Sequence, residues 1–344
     1  MLLSAPPVTR PVYDHLLRLT DGIGIFEHAL GGTPRPEHGY CVDDVARALV
    51  LTVREPSQTL ELAGATAVYL RFLIDATASD GRIRNRRRAD GRWAEAPGLG
   101  DWWGRAIWAT GIAAAMATMA DDRHRALDCL LVLTRQRCRH VRSRAFAMIG
   151  AAEFLRVAPH HPVLLEVVRD GMTGFPTEPV GGWRWVEPRL RYANGALAEA
   201  VIAGGMALDD IRTVRRGVDM LEALVDLETR GHRLSVVPVG GRGPGESGPR
   251  FDQQPIEVAA LADAARRAFD ATGDHRWLDV VRRCWAWFLG ENDADTPMVD
   301  LETGAGFDGL ERFGRNANRG AESTIAALAT WQDAVMADRI DART

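Results

Sequence analysis

Two kinds of helical segment alternate along this chain. One kind is built from small residues and is apolar most of the way round: RAIWATGIAAAMATMA, SRAFAMIGAAEFL, RYANGALAEAVIAGGMAL, IEVAALADAARRAF and RGAESTIAALATW. A helix without a wet face belongs inside a protein, and its Ala and Gly residues let neighbouring backbones come close. The other kind is amphipathic: LELAGATAVYLRFLIDA, DIRTVRRGVDMLEALVDLETR and DHRWLDVVRRCWAWFL. These read as an outer layer, wet on one side. Start and stop signals such as REPS, PHHP, LDD and GEND separate the segments. They predict twelve helices, over 11–20, 42–54, 59–78, 103–120, 123–139, 142–157, 162–170, 192–208, 210–229, 253–272, 275–289 and 319–337.

Six buried helices alternating with six amphipathic ones predict an all-α (α/α)6 barrel, an inner ring of parallel helices wrapped by an outer ring. The inner helices start near residues 43, 103, 143, 192, 254 and 319. A solenoid of helical hairpins is the competing layout, but it keeps a tighter period and shorter connections. With 344 residues, 46% of them hydrophobic, the chain can bury one large core, and residues 1–344 are read as a single barrel domain. Strand-like runs are few. RLSVVPV (Arg233 to Val239) is the best, and GRIRNRR reads as one arm of a small ribbon. The Gly-rich stretch from Val239 to Asp252 reads as a rim loop able to act as a lid.

Several function classes are excluded. The formal charge of −4 and the single short basic cluster, Arg82 to Arg88, do not make a nucleic-acid footprint. The four cysteines have neither zinc-site spacing nor partnered histidines. The N-terminal MLLSAPPVTRPVYDH lacks the pattern of a signal peptide, and no run is long and apolar enough to span a bilayer. A cytoplasmic protein is expected. There is no P-loop and no dinucleotide fingerprint between strand and helix.

In a closed ring the N-termini of the inner helices gather at one face. Their first turns carry a recurring chemistry. HGYCVDDVARAL brings His38, Tyr40, Asp43 and Asp44; the second mouth brings Asp101, Trp102, Trp103 and Arg105. The third brings Arg142, and the fourth Trp183, Trp185, Glu187, Tyr192 and Asn194. Asp252, Gln253, Gln254 and Glu257 stand at the fifth, and Asn318, Arg319, Glu322 and Ser323 at the sixth. Any one acid at a helix start is explained by capping and by the positive end of the dipole. Capping does not explain the tryptophans, amides and arginines beside them. Carbohydrate binding does: rings stack on sugar faces while amides and acids take the hydroxyls.

Two of these stretches, HGYCVDDVARAL and NRGAESTIAAL, resemble a bacterial family of (α/α)6-barrel proteins found alone or fused C-terminally to retaining glycosyltransferases. The resemblance runs from about Asp21 to Trp331. That family is similar to six-hairpin glycosidases and to N-acylglucosamine 2-epimerase-like barrels. The resemblance implies sugar binding, and a functional link to a glycosyltransferase, without naming the reaction. This chain has no Rossmann-like alternation of its own.

The residues themselves point to a glycoside hydrolase on an oligosaccharide substrate. Such an enzyme needs one carboxyl to protonate the leaving oxygen and one to activate water. The catalytic candidates are Asp43, Asp44, Asp101, Glu257 and Glu322. Asp43 and Asp44 are adjacent, so on a helix they point about 100° apart and at most one faces the axis directly. A pair across the cavity, at about 6.5–9.5 Å, would favour inversion. Trp102, Trp103, Trp183 and Trp185 are expected as platforms. His38, Tyr40, Arg105, Glu187, Tyr192, Asn194, Asp252, Gln253, Asn318 and Arg319 are expected to bind substrate. No metal or cofactor is required. The alternatives are an epimerase or isomerase on the same barrel, relying on His38, and a non-catalytic glycan-binding partner of a glycosyltransferase.

Overall fold

The computed structural model describes residues 10–342. Twelve α-helices stand among them: α1 (Asp14–Leu19), α2 (Val42–Arg54), α3 (Leu60–Ala76), α4 (Asp101–Met116), α5 (Ala120–Leu133), α6 (Val141–Leu155), α7 (Pro162–Met172), α8 (Asn194–Ala207), α9 (Ile211–Leu227), α10 (Pro255–Thr272), α11 (Arg276–Leu289) and α12 (Ala321–Asp341). The even-numbered helices form a ring in which each packs on the next and α12 returns to α2. Each odd-numbered helix packs outside an inner one, with α1 closing the set against α12. The chain is an (α/α)6 barrel, and ring closure removes the solenoid layout.

The two helix kinds sort as their composition demands. In α8 every residue from Asn194 to Gly205 is buried. In α9 Val214, Val218 and Leu221 face inward while Arg212, Arg215 and Asp219 stay wet. Outer helices carry ordinary caps: the Thr59 hydroxyl accepts from Leu62 N at the start of α3, and Asp210 accepts from Arg212 N and Thr213 N at the start of α9.

Glycine sets how closely the inner helices approach. A Cβ on Gly111 of α4 would run into the backbone carbonyl of Gly150 on α6, and one on Gly104 into that of Ser143. Gly111→Ala is therefore expected to destabilise the protein by about 2–3 kcal/mol, because neither backbone can yield without moving a helix. Gly64, in the middle of α3, has open space around its missing Cβ. Gly64→Ala should be neutral or stabilising by up to about 1 kcal/mol, through helix propensity. Urea denaturation of the two variants checks the contrast; equal effects would contradict this account of the packing.

Among the described residues the strands form five two-stranded antiparallel ribbons in the connecting loops. Arg86–Arg87, the arm expected within GRIRNRR, pairs with Tyr40–Cys41 and so pins the approach to α2. Of RLSVVPV only Arg233–Leu234 is a strand, paired with Thr229–Arg230. Its continuation instead bonds to Glu228, through Ser235 N to the carbonyl and Val237 N to the carboxyl. The Gly-rich loop after it borders two shallow depressions, one walled by Arg189 and one by Trp183, and none of its residues lines the acidic cleft described below. Among the described residues no helix is long and apolar enough to cross a membrane. All four cysteines are buried and free. The N-terminal MLLSAPPVTRPVYDH lies partly outside the described residues.

Candidate functional site

At the N-terminal mouth of the ring lies a cleft of about 420 Å³. Six carboxylates border it: Glu27, Asp43, Asp44, Asp101, Asp308 and Glu322. Arg47, Arg86 and Arg105 stand among them, with His28, Tyr192, Gln254 and Ser323 completing the wall.

The helical turn splits the adjacent aspartates. Asp43 faces α4 and meets Arg105 Nε at 3.1 Å. Asp44 turns inward, accepts from Arg47 Nη1 at 2.7 Å and receives the Cys41 thiol at 3.1 Å. The same Arg47 nitrogen lies 2.8 Å from Glu322 on α12. One guanidinium thus ties the mouths of the first and last inner helices. Both aspartates border the cleft, but Asp44 is only 3% exposed. Asp101 opens α4 and, among the described residues, has no hydrogen-bond or ion-pair partner. Asp308 anchors the start of α12 by accepting from Gly320 N at 2.7 Å and from the Ser323 hydroxyl.

Burial raises two of these carboxyls. Burial raises Asp44 to about 7 against the pull of Arg47, with Glu322 adding to the rise. Burial also raises Asp101, opposed by Arg105. Arg105 itself falls to about 10, because it is buried beside Arg47. Glu27, Cys41 and Asp44 could place three ligand atoms around a metal. The donors there are already engaged, Glu27 by Arg86 and Asp44 by Arg47 and Cys41.

Several residues expected on the cleft are elsewhere. Glu257 is buried and caps α8, accepting from Ala193 N at 2.7 Å and from Asn194 Nδ2 at 3.2 Å. Asn194 is buried in that same cap, and its Oδ1 takes Arg191 N. Glu187 forms a two-pronged pair with Arg142, at 2.6 and 2.7 Å. Gln253 is fully buried and donates to Asp293, while Asp252 is exposed beside it and off the cleft. Trp103 and Trp185 are core residues, 1% and 0% exposed. Trp102 donates its indole N–H to the Ile83 carbonyl, and Trp183 to that of Glu187. No tryptophan lines the cleft among the described residues; Tyr192 is its one large ring, with Arg142 over its face. Tyr40 is buried, its hydroxyl donating to Asp21. His38 sits exposed on the rim, its ring edge-on to His28 at 5.0 Å. Asn318 accepts from Gly31 N, and Arg319 pairs with Asp300.

The mouth is therefore asymmetric. Polar residues of α6, α8 and α10 satisfy one another, whereas those of α12, α2 and α4 face the cleft. Sequence reasoning missed Glu27, His28, Arg47, Arg86 and Asp308. Arg47 had a signal, since it lies three residues after Asp44 on one helix face. Glu27, His28 and Asp308 lie in loops, where no periodicity marks them.

No family model and no curated protein matches the chain. Its fold has close counterparts among solved structures. Cellobiose 2-epimerase from Bacillus thermoamylovorans B4167 superposes with a TM-score of 0.71 at 10% identity, covering 96% of each chain. A D-mannose isomerase gives 0.68 at 10% identity, covering 94% of this chain and 95% of that one. The cellulase Cel9M of C. cellulolyticum in complex with cellobiose gives 0.62 at 9% identity, covering 91% and 87%. The fold is thus one used by carbohydrate-active enzymes of both hydrolase and isomerase type.

Buried acids give a pH dependence with a defined sign. Asp44 and Glu228 are raised to about 7 and Glu257 to about 8, all chiefly by burial, from ordinary values of 3.8, 4.5 and 4.5. Between those limits the folded chain holds protons that the unfolded chain has lost. Stability from these groups is present below about pH 4 and is lost as pH rises towards 8. A thermal melt at pH 6 is expected to lie above one at pH 8.5; a higher Tm at pH 8.5 would contradict the assignment.

Proposed function

We propose that the protein is a glycoside hydrolase that draws an oligosaccharide into the acidic cleft. In this reading Asp101 protonates the leaving oxygen and Glu322, from α12 on the other side of α2, activates water. The observation that carries it is the contrast between these two carboxyls on one cleft. Asp101 is desolvated and partnerless among the described residues, which favours its protonated form. Glu322, by contrast, is partly exposed and lies 2.8 Å from the guanidinium of Arg47. That is the division of labour glycoside cleavage needs. Asp43, held by Arg105, flanks the pair. Asp44 is too deeply buried to reach a glycosidic oxygen; it holds Arg47 in place. Tyr192 supplies the stacking face.

A second reading, an epimerase or isomerase, draws on His28 at the cleft wall with His38 against it, and on the fold shared with such enzymes. Purified protein incubated with mannan, glucan and arabinan oligosaccharides in deuterated water separates the readings by mass and NMR. New reducing ends, abolished in Glu322→Gln, are the expected result. Deuterium on a sugar carbon without chain cleavage, lost in His28→Ala, would replace hydrolysis with isomerisation. Binding without turnover would leave a glycan-binding protein, as a partner of a glycosyltransferase would be.

A further inference from the structure

Beside the acidic cleft lies a depression of about 450 Å³ with the opposite character. Arg189, Arg250 and Arg312 border it, with Phe251, Ser247 and prolines and glycines of the neighbouring loop, and no acid does. Three chain segments wall both spaces. Tyr192 lines the cleft and Arg189 the depression; Gln254 and Phe251 do the same from a second segment, and Asp308 and Arg312 from a third. Three extended residues reach about 10 Å at most, so one oligosaccharide can span the two spaces. Leu190, Gln253 and Leu310 lie between these pairs in sequence, and all three are fully buried. Leu190 exchanges backbone hydrogen bonds with Arg242, and Gln253 with Leu310. The rim between the spaces is therefore a pinned strip of backbone.

The guanidiniums outnumber their acids. Glu246, which does not line the depression, accepts from Arg189 at 2.7 Å and lies 3.5 Å from Arg250. Arg312 makes no ion pair among the described residues; its guanidinium lies 6.0 Å from the centre of the Phe251 ring. Asp252 and Glu311 adjoin Phe251 and Arg312 in sequence, but neither borders the space. The side chains of Arg189 and Arg250 are 42% and 47% exposed, so a ligand can reach them. The cleft has the reverse balance, six carboxyl groups against three arginines. It disfavours an anion, whereas the depression attracts one. A ligand that fills both spaces thus sets a neutral sugar in the cleft and an acidic group among the arginines. Guanidinium forks pair with carboxylate or sulfate oxygens, and Phe251 offers an apolar face to a sugar ring.

We propose that this depression is a subsite for an acidic group on the substrate. The substrate is then an oligosaccharide in which neutral sugars are joined to sugars bearing a carboxylate or a sulfate. This rests on the oligosaccharide reading of the cleft and adds the substrate class to it.

Calorimetric titration of the protein with matched probes tests the subsite. A hyaluronan hexasaccharide and a glucuronoxylan oligosaccharide are each compared with their carboxyl-reduced forms, and a keratan sulfate oligosaccharide with its desulfated form. The first two pairs report a carboxylate and the third a sulfate. At least one acidic form is expected to bind about tenfold more tightly than its neutral counterpart, with the advantage narrowing as salt is raised. Arg312→Ala should cut that advantage about fivefold, the upper range for one exposed ion pair. Arg250→Ala combined with Arg312→Ala should remove it. No preference for any acidic form, or a preference unaltered in both variants, would overturn the subsite. The titrations read binding and not cleavage. Neutral forms that bind as tightly as the acidic ones would sink the subsite while the oligosaccharide reading stands.

Discussion

Asp101→Asn is expected to lower kcat for glycosidic cleavage by about 10²–10⁴-fold, the range over which a positioned general acid contributes. Asparagine keeps the size and the hydrogen-bonding capacity of the side chain, so KM should stay within a few-fold. What it removes is the proton. Two further readouts separate that loss from a disturbed fold. A carboxyl acting as acid loses activity as pH rises through its raised value, so the alkaline limb of the pH profile should disappear in the variant. A glycoside with a good leaving group needs no protonation, and its cleavage should fall far less. A variant that keeps more than a tenth of wild-type kcat on ordinary glycosides would remove Asp101 from the mechanism.

Arg267→Met is expected to cost about 3–5 kcal/mol of stability, because it strands buried charge at the other end of the barrel. Arg267, on α10, is 6% exposed and pairs with Glu153 of α6 and with Glu199 of α8, the latter at 3.4 Å. It thereby crosses from one inner helix to two others, meeting α6 near its C-terminal end and α8 near its middle. Glu153 is buried too, yet Arg267 is among the causes that hold its carboxyl below the usual value. Without the guanidinium, Glu153 retains Arg156 at 3.6 Å, and that residue is largely in water. The sign of the pH response follows. Glu153 in the variant can escape the penalty by taking a proton, so the deficit should shrink as pH falls from 7.5 towards 5. Arg267→Met combined with Glu153→Gln should recover most of the loss. Urea titrations at pH 5 and 7.5 measure both effects. A pH-independent loss, or no rescue by the double variant, would mean that packing rather than charge is at stake.

Much of the site is visible as residue types in the sequence, but not as roles. The paired aspartates, Asp101 and Glu322 could be read as mouth residues because inner-helix starts are local signals. Glu257 and Gln253 could be read so on the same grounds, and they are structural. The distinction lies in partners that sequence spacing does not reveal. Glu257 meets an α8 start that Ala193 enters in a left-handed conformation, with its backbone N–H free to be capped. Gln253 lies beside Asp293, in the connection after α11. Trp103 and Trp185 follow the same logic: a ring at a helix mouth can turn to the cleft or into the core, and burial of so large an apolar surface favours the core.

From the sequence alone come the twelve helices, their division into two layers, the ring they close and the acidic character of one mouth. Each of these depends on helical periodicity and side-chain size, which act over a few residues and repeat often enough to be read. Only the tertiary structure decided which acids stay free. That outcome depends on pairings between distant segments, such as Arg47 with Glu322 or Arg142 with Glu187, where a partner a few ångströms nearer turns a candidate catalytic group into a strut.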